Sequence, residues 1–329
     1  MLDINDFSAK QIVVFMPSRG DKLSYKNDNL IIKNADGDIK YQHTCYRIFL
    51  LLVVGDCTIT TGLMKRAKKF GFSICFMSHS FRIEFIVKNG LQGNNYLHRK
   101  QYSYENTEIG RVIILNKIRN QRRTLEFIRN KSEFVKEGIV ALDKYIEILD
   151  TSRDLSKETI LGYEGNAAKV YFPRVFENTQ WQARKPRIKF DYINCLLDIG
   201  YTILFNFIDC VLQTYDFDVY EGVLHTAFYM RKSLVCDLME PFRTIIDWRV
   251  RKGINLKQFK QEDFVLIDNQ YQLEYKKNGE YIMPFMEDIL RNKEQIFLYL
   301  RAYYRAFMKG KDAEGFPEFD ISSREIILP

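Results

Sequence analysis

The strongest hydrophobic pattern in the sequence is Ile193-Asn-Cys-Leu-Leu-Asp-Ile-Gly-Tyr-Thr-Ile-Leu-Phe-Asn-Phe-Ile-Asp-Cys-Val-Leu212. Its apolar residues recur at intervals of three and four, except at the step across Gly200, and this spacing places side chains on one face of an α-helix. The same period begins near Ile109 and returns between Phe134 and Ile146. The C-terminal two thirds of the chain is therefore predicted to be helical.

The N-terminal part has a different pattern, in which short β-branched or aromatic runs alternate with turn signals. The runs are Ile12–Met16, Asn29–Lys33, Tyr46–Val54, Ser73–Met77 and Phe81–Lys88. Asn34-Ala-Asp-Gly37 predicts a turn between two strands. Thr60 or Thr61 can cap a short helix that ends at Gly71. These features indicate a small β-rich domain.

The two patterns together predict an α+β fold. A β-sandwich-like domain with one short helix is expected at residues 1–96. A larger all-α domain is expected at residues 97–329. Within it, residues 255–280 leave room for a small hairpin, and the tail beyond Lys309 looks irregular.

Composition narrows the function only slightly. The chain has 329 residues and a net charge of +7, which suits a polyanionic partner without identifying one. Its six cysteines form no Cys-x-x-Cys pair and are expected to be reduced. The N-terminus lacks a signal-peptide pattern, and the longest apolar stretch, at residues 48–54, is too short to cross a bilayer. We expect a cytoplasmic protein with no membrane role.

Charged side chains recur at steps of three in Ser233-Leu-Val-Cys-Asp-Leu-Met-Glu-Pro-Phe-Arg243. Asp237, Glu240 and Arg243 share one stripe of the predicted helix, opposite an apolar face. Such a stripe is usually a solvated polar face, and that alternative stays open. Pro241 removes a helical hydrogen bond at a cost of about 3 kcal/mol, so we predict a local kink.

Two further residues carry metal-ligand chemistry. His225 lies in Gly222-Val-Leu-His, where a lone histidine is more often a hydrogen-bonded core residue. Glu164 lies among small residues in Gly162-Tyr-Glu-Gly-Asn-Ala-Ala, and the alternative is an acid in the first turn of a helix.

Together with the carboxylates of the stripe, these residues supply one imidazole nitrogen and two or three carboxylates. That set suits Mg²⁺ or Mn²⁺. Such an ion would polarise a phosphate, and the spacing favours one metal per site. The predicted catalytic residues are Glu164, His225, Asp237 and Glu240.

At these residues the chain resembles the CRISPR-associated spacer-acquisition integrases, the Cas one family, over nearly its whole length. The motifs are Tyr163-Glu-Gly-x-Ala-Ala with Tyr171-Phe172, Gly222-x-Leu-His225, and Arg231-x-Ser-Leu followed by Asp237-Leu-Met-Glu-Pro-Phe-Arg243. Asn194-x-x-Leu-x-x-Gly-Tyr201 and Lys117-Ile-x-Asn-Gln121 resemble the family's helical framework, and Thr58-Ile-Thr-Thr-Gly-Leu fits its β-rich first domain.

The resemblance implies that Glu164, His225 and Glu240 bind the divalent metal, with Asp237 adjacent to them. It also implies that Arg231 and Arg243 face phosphates. Two positions depart from the family's pattern. Met230 stands where many members have glycine, and Tyr192 stands where many have proline.

The resemblance further implies an enzyme of antiviral defence, a metal-dependent integrase and endonuclease. It implies that residues 1–96 serve for dimerisation, and residues 97–329 for catalysis and DNA binding. Family members act as homodimers with a small ferredoxin-like partner, the Cas two protein, and insert short double-stranded DNA segments into the repeat of a CRISPR array. The 3′ hydroxyl of the incoming DNA attacks a repeat phosphodiester and displaces another 3′ hydroxyl. No nucleotide cofactor is needed because bond energy is conserved.

Two groups of basic residues fit a DNA partner. The first lies between Arg99 and Arg129, and a solvated helix face explains it equally well. The second, Trp181-Gln-Ala-Arg-Lys-Pro-Arg-Ile-Lys189, is predicted to be a flexible loop, with Trp181 available to pack or stack. Its candidates for phosphate contact are Arg184, Lys185 and Arg187.

Two other functions stay open. One is a metal-dependent endonuclease or transposon-type integrase that uses the same site on branched DNA. The other is a DNA-binding scaffold without catalysis.

Overall fold

The computed structural model describes residues 10–78, 83–88, 93–186, 188–226, 228–323 and 325–327. The chain divides into two compact units. The first is Met1–His98 with Asp209–Phe217, and the second is Arg99–Ile208 with Asp218–Pro329. Strands dominate the first unit and helices the second, so the predicted α+β class is confirmed.

Two sheets form the first unit. Four strands make a mixed sheet in the order β1 (Gln11–Phe15), β5 (Ile48–Val54), β6 (Ser73–Met77) and β7 (Ile83–Val87). Three strands make an antiparallel sheet from β2 (Lys22–Lys26), β3 (Asn29–Lys33) and β4 (Ile39–Thr44). β5 pairs in parallel with β1 and β6, and all its residues are buried, as expected of a strand covered on both faces.

Apolar runs, turn residues and a helix-ending glycine in the sequence predicted most of these elements. The turn at residues 34–37 joins β3 to β4, and Gly37 adopts a φ of +93° that favours glycine. Helix α1 (Thr61–Phe70) ends at Gly71, as predicted. β2 and β4 were not predicted from the sequence. Polar residues alternate along both strands, and half or more of each strand is not buried. The first part of the predicted strand Phe81–Lys88 lies outside the described residues.

The helices of the second unit confirm the predicted period. In chain order they are α2 (Asn95–Tyr102, which starts in the first unit), α3 (Glu108–Glu126), α4 (Glu133–Thr151), α5 (Lys157–Val175), α6 (Tyr192–Thr214, which ends in the first unit), α7 (Ser233–Met239), α8 (Arg243–Asn255), α9 (Asn278–Arg291) and α10 (Lys293–Lys309). Ser132 and Ser156 cap α4 and α5 by accepting hydrogen bonds from Val135 N and Thr159 N.

Two hairpins accompany these helices. β8 (Phe264–Ile267) and β9 (Gln270–Leu273) form the hairpin expected within residues 255–280. β10 (Glu318–Asp320) and β11 (Glu325–Ile327) pair in the tail, which the sequence predicts to be irregular. The tail is ordered by the side-chain amides of Asn116 and Asn120 on α3, which bond the backbone of residues 319 and 321. Those partners lie about two hundred residues away in sequence, beyond the reach of local pattern.

Helix α6 is the longest helix among the described residues. Within this part of the chain it is the one helix long and apolar enough, by length and composition, to cross a membrane. However, 78% of its most apolar window is buried inside the protein. It is therefore described best as a core helix.

Candidate active site

The predicted kink at Pro241 separates two helices. Glu240–Phe242 form a short 3-10 turn between α7 and α8. Asn120 of α3 donates to the carbonyl of Pro241 at 3.0 Å, which anchors the turn in the buried interior. The break divides the predicted stripe, because Asp237 precedes the turn and Arg243 follows it. As a result, Asp237 and Glu240 serve two different groups of side chains.

Asp237 holds His225 and the backbone around it. The Asp237 carboxylate is fully buried and accepts hydrogen bonds from Val223 N at 2.7 Å, Leu224 N at 3.0 Å and His225 N at 3.0 Å. Its Oδ1 also lies 2.5 Å from Nδ1 of His225. This contact leaves Nε2 as the ring nitrogen available to a ligand, the arrangement that orients metal-binding histidines.

Glu164 and Glu240 meet at the ammonium of Lys117. Lys117 Nζ contacts Glu164 Oε1 and lies 2.6 Å from Glu240 Oε2. Arg243 Nε lies 2.7 Å from the same Glu240 oxygen. Glu164 occupies the middle of α5 rather than its first turn, so the helix-dipole alternative does not apply. The structure thus brings the two predicted carboxylates to one cation.

Burial and charge set the protonation of this group. Burial raises the pKa of Glu240, but Arg243 and Lys117 more than offset it and lower that pKa to about 2. Burial likewise lowers the pKa of Lys117, yet Glu164 and Glu240 together leave it raised. Glu240 is therefore a carboxylate, and Lys117 an ammonium, at neutral pH.

Tyr201, which the sequence reasoning placed only in the helical framework, lies at the same site with Asp247, which that reasoning missed. The hydroxyl of Tyr201 donates to Asp247, and both residues are buried. The guanidinium of Arg243 lies 4.7 Å from the centre of the Tyr201 ring, and that of Arg184 lies 5.5 Å from it. Tyr201 is thus a platform for two arginines. Burial raises the pKa of Asp247 to about 6.

Most of these side chains line one pocket of about 620 Å³. Its lining includes Lys117, Glu164, Arg184, Lys189, Asp198, Tyr201, His225, Arg231, Arg243 and Asp247. His225 lines the pocket with 15% of its side chain exposed, and its ring is also bonded to the buried Asp237, as the core-histidine alternative expects. Glu240 is 1% exposed, which places it beneath the surface that the pocket presents.

The predicted phosphate-binding loop is only partly directed at the pocket. Arg184 lines the pocket, and it also pairs with Asp198 at 2.7 Å. Lys185 is absent from the lining, and its ammonium lies 4.6 Å from the centre of the Phe190 ring. Arg187 lies outside the described residues. Trp181 stacks on Phe172 and Phe176, so it packs within the protein.

The basic group on α3 is largely neutralised by acids. Its pairs are Arg111 with Glu108 and Glu314, Lys117 with Glu164 and Glu240, Arg119 with Asp150 and Glu318, Arg122 with Glu126 and Asp143, and Arg123 with Glu318 and Asp320. These ion pairs offset most of the positive charge of α3 within the protein, while the acids paired with Arg122 are about half exposed, as the solvated-face alternative expects. Contact of this group with DNA stays a prediction.

Both departures from the family's pattern have a structural counterpart. Met230 adopts a φ of +60°, the left-handed conformation that glycine adopts without steric cost. Tyr192 is the first residue of α6, where proline is favoured because its missing N–H has no helical partner. Position 230 thus has a backbone conformation that favours glycine, and position 192 is a place in the helix that favours proline.

The donor set fits a divalent ion in its chemistry. Two carboxylates already converge on one cation, and the imidazole has its other nitrogen bound to a carboxylate. No three histidine, cysteine or acidic side chains among the described residues stand close enough together to hold a metal. In this structure the Lys117 ammonium contacts both carboxylates.

Comparisons with known proteins identify the family of this chain. The family model described as CRISPR associated protein Cas1 matches residues 14–287. A CRISPR-associated endonuclease Cas1 of Thermodesulfovibrio yellowstonii is 27% identical over 80% of this chain and 86% of its own length. One of Leptospira interrogans is 35% identical over 58% of this chain and 78% of its own length.

Solved structures support the fold. A chain of a partial Cas6-RT-Cas1–Cas2 complex superposes with a TM-score of 0.73 at 19% identity, covering 92% of this chain and 96% of that one. A casposase bound to its integration product superposes with a TM-score of 0.68 at 19% identity, covering 95% of this chain and 98% of that one. With the family model matching most of its length, the chain belongs to the Cas1 family of CRISPR-associated proteins.

Proposed function

We propose that this chain is a CRISPR adaptation integrase, which joins the 3′ ends of short DNA segments into the repeat of a CRISPR array. The observation that carries the proposal is that Glu164 and an Asp237-anchored His225 line one pocket together with arginines, while the buried Glu240 contacts the same Lys117 ammonium as Glu164. Relatives named CRISPR-associated endonucleases and a casposase bound to its integration product support phosphodiester chemistry of this kind.

Glu164, His225 and Glu240 would hold Mg²⁺ or Mn²⁺. The bound ion would polarise a phosphate oxygen and stabilise charge on the attacking and leaving oxygens. Asp237 fixes the His225 ring and its tautomer, so its role is positioning. Arg243 and Arg231 line the pocket and would neutralise the phosphodiester.

The chemistry is an exchange of one phosphodiester for another. The incoming 3′ oxygen forms a new bond to phosphorus while the bond to the repeat's 3′ oxygen breaks. The proton of the attacking hydroxyl is released as the leaving oxygen gains one. The pocket residues would align the three oxygens and exclude alternative geometries.

Assembly follows the same proposal. We propose a homodimer formed through the β-rich domain of residues 1–96, acting with a small ferredoxin-like Cas2 partner on double-stranded DNA in the cytoplasm. A solved Cas6-RT-Cas1–Cas2 complex contains a chain of this fold, which supports the Cas2 partner. A solved Cas1–DNA complex supports the DNA partner.

An integration assay tests the function. A supercoiled plasmid that carries a repeat array is incubated with short duplexes, Mn²⁺ and the Cas2 partner, and covalently joined ends are measured. Glu164→Ala and His225→Ala should abolish joining and leave DNA binding intact. Glu133→Ala is the matched control, since its side chain is 76% exposed and lies at the start of α4.

Other outcomes identify the alternatives. Full joining by either site variant would contradict the site assignment. Cleavage of branched DNA without joining would identify a nuclease. If the chain binds DNA and Glu240→Ala leaves its Mn²⁺ binding unchanged, the chain is a scaffold.

A further inference from the structure

Lys117 is a charged residue at the centre of the site. Its side chain is 8% exposed, it projects from the middle of α3, and its ammonium contacts Glu164 and Glu240 together. The resemblance to the family places it only in the helical framework. Glu240 Oε2 lies 2.6 Å from Lys117 Nζ and 2.7 Å from Arg243 Nε, so two cations hold this oxygen.

Electrostatics explains why a cation is needed there. Two carboxylates buried side by side repel each other, and burial without a counter-ion is costly. Lys117 and Arg243 balance Glu164 and Glu240, so the four charges sum to zero. A divalent ion placed on the same oxygens would leave the group with two positive charges. The ion and the Lys117 ammonium must therefore compete for the carboxylates.

We infer that Lys117 is the resident cation of this site, which keeps Glu164 and Glu240 together until a divalent ion displaces it. The inference rests on the proposed function, because it takes these two residues as metal ligands. Once displaced, the ammonium lies in the pocket that Lys117 already lines, where it becomes a ligand for a phosphodiester.

A thermodynamic coupling follows. Metal binding is weakened by the cost of displacing Lys117 and by the excess positive charge that results. A phosphodiester in the pocket relieves both costs, so DNA and metal should each strengthen the binding of the other. The site would then fill with metal chiefly when DNA is present.

Calorimetric titration with Mn²⁺ tests the competition. Lys117→Met removes the competing ammonium and should bind Mn²⁺ at least about tenfold more tightly than the wild type. A short duplex should tighten Mn²⁺ binding to the wild type and have little effect on the variant. Lys136→Met is the control, because Lys136 is 58% exposed and pairs only on the surface with Glu133. Its Mn²⁺ affinity should equal that of the wild type.

A second measurement on the wild-type chain removes any dependence on how the variant folds. Lysines are acetylated with an amine-reactive reagent, and modification of Lys117 is quantified by peptide mass spectrometry. Saturating Mn²⁺ should raise acetylation of Lys117 several-fold and leave that of Lys136 unchanged. A purely structural lysine would stay equally protected with and without Mn²⁺.

The outcomes separate this inference from the proposed function. If wild type and Lys117→Met bind Mn²⁺ equally, or if Lys117 stays protected when Mn²⁺ is bound, the inference is wrong and the metal site stands. If Mn²⁺ binds neither protein, both are wrong. Tighter binding by Lys117→Met and exposure of Lys117 by Mn²⁺ support it.

Discussion

Asp237→Asn is the sharpest test of how the site is held. Its carboxylate accepts four hydrogen bonds, three from backbone N–H groups of residues 223–225 and one from the His225 ring. Asparagine keeps one acceptor oxygen, which can serve two of these donors. The other two donors would face an amide NH₂ group in a fully buried position.

The expected loss can be worked from those contacts. A hydrogen bond to a charged acceptor contributes about 1.5 to 3 kcal/mol, so two lost bonds should lower the free energy of unfolding by about 3 to 6 kcal/mol. The freed His225 ring should also reduce Mn²⁺ affinity by about 10- to 100-fold, as for other partners of metal-binding histidines. Both effects exceed the loss of a surface contact.

Urea unfolding and Mn²⁺ calorimetry measure the two effects. Asp143→Asn is the control, because Asp143 is 48% exposed and pairs with Arg122 on the surface, and its loss should stay below about 1 kcal/mol. Gly222→Ala tests the same contact from the other side, since its new Cβ would lie 2.6 Å from Asp237 Oδ2. A loss below 1 kcal/mol in Asp237→Asn, equal to the control, would refute the reasoning.

Three further predictions concern the same unit. Tyr201→Leu removes the platform under Arg243 and should weaken duplex binding about tenfold in a fluorescence titration, while Tyr201→Phe keeps the ring and most of the affinity. The pKa of Asp247 is raised from 3.8 to about 6, so the unfolded state releases its proton first as the pH rises. The free energy of unfolding should therefore fall by about 3 kcal/mol between about pH 4 and pH 6, and Asp247→Asn should abolish this fall in urea titrations. Met230→Gly should raise the free energy of unfolding by about 1 kcal/mol, measured the same way, because Met230 has a φ of +60°.

Much of the fold was predictable because it depends on local pattern. The period of apolar residues located α3, α4 and α6, and glycine marked the end of α1. Pro241 predicted the break between α7 and α8 for a physical reason, its missing N–H. The polar strands β2 and β4 and the hairpin of the tail were missed, since their order comes from partners elsewhere in the chain.

The sequence predicted which residues form the candidate site, but it did not predict which of them contact each other. The stripe of Asp237, Glu240 and Arg243 gave the charged groups, yet helical spacing suggested one shared face. In the structure, Asp237 precedes the 3-10 turn and contacts His225, whereas Glu240 lies in the turn and contacts Lys117. Spacing along a helix cannot reveal a neighbour that arrives from another helix.

The basic residues of α3 show the consequence of this limit for DNA binding. Counted along the sequence, they suggest a phosphate-binding face, but acids from other elements pair with five of them. The basic side chains that line the pocket are Arg184, Lys189, Arg231 and Arg243, of which Arg184 and Arg243 also pair with acids, together with Lys117, which contacts two carboxylates. The salt dependence of duplex binding should therefore follow substitutions of the pocket arginines, and change little with substitution of Arg122 on the surface of α3.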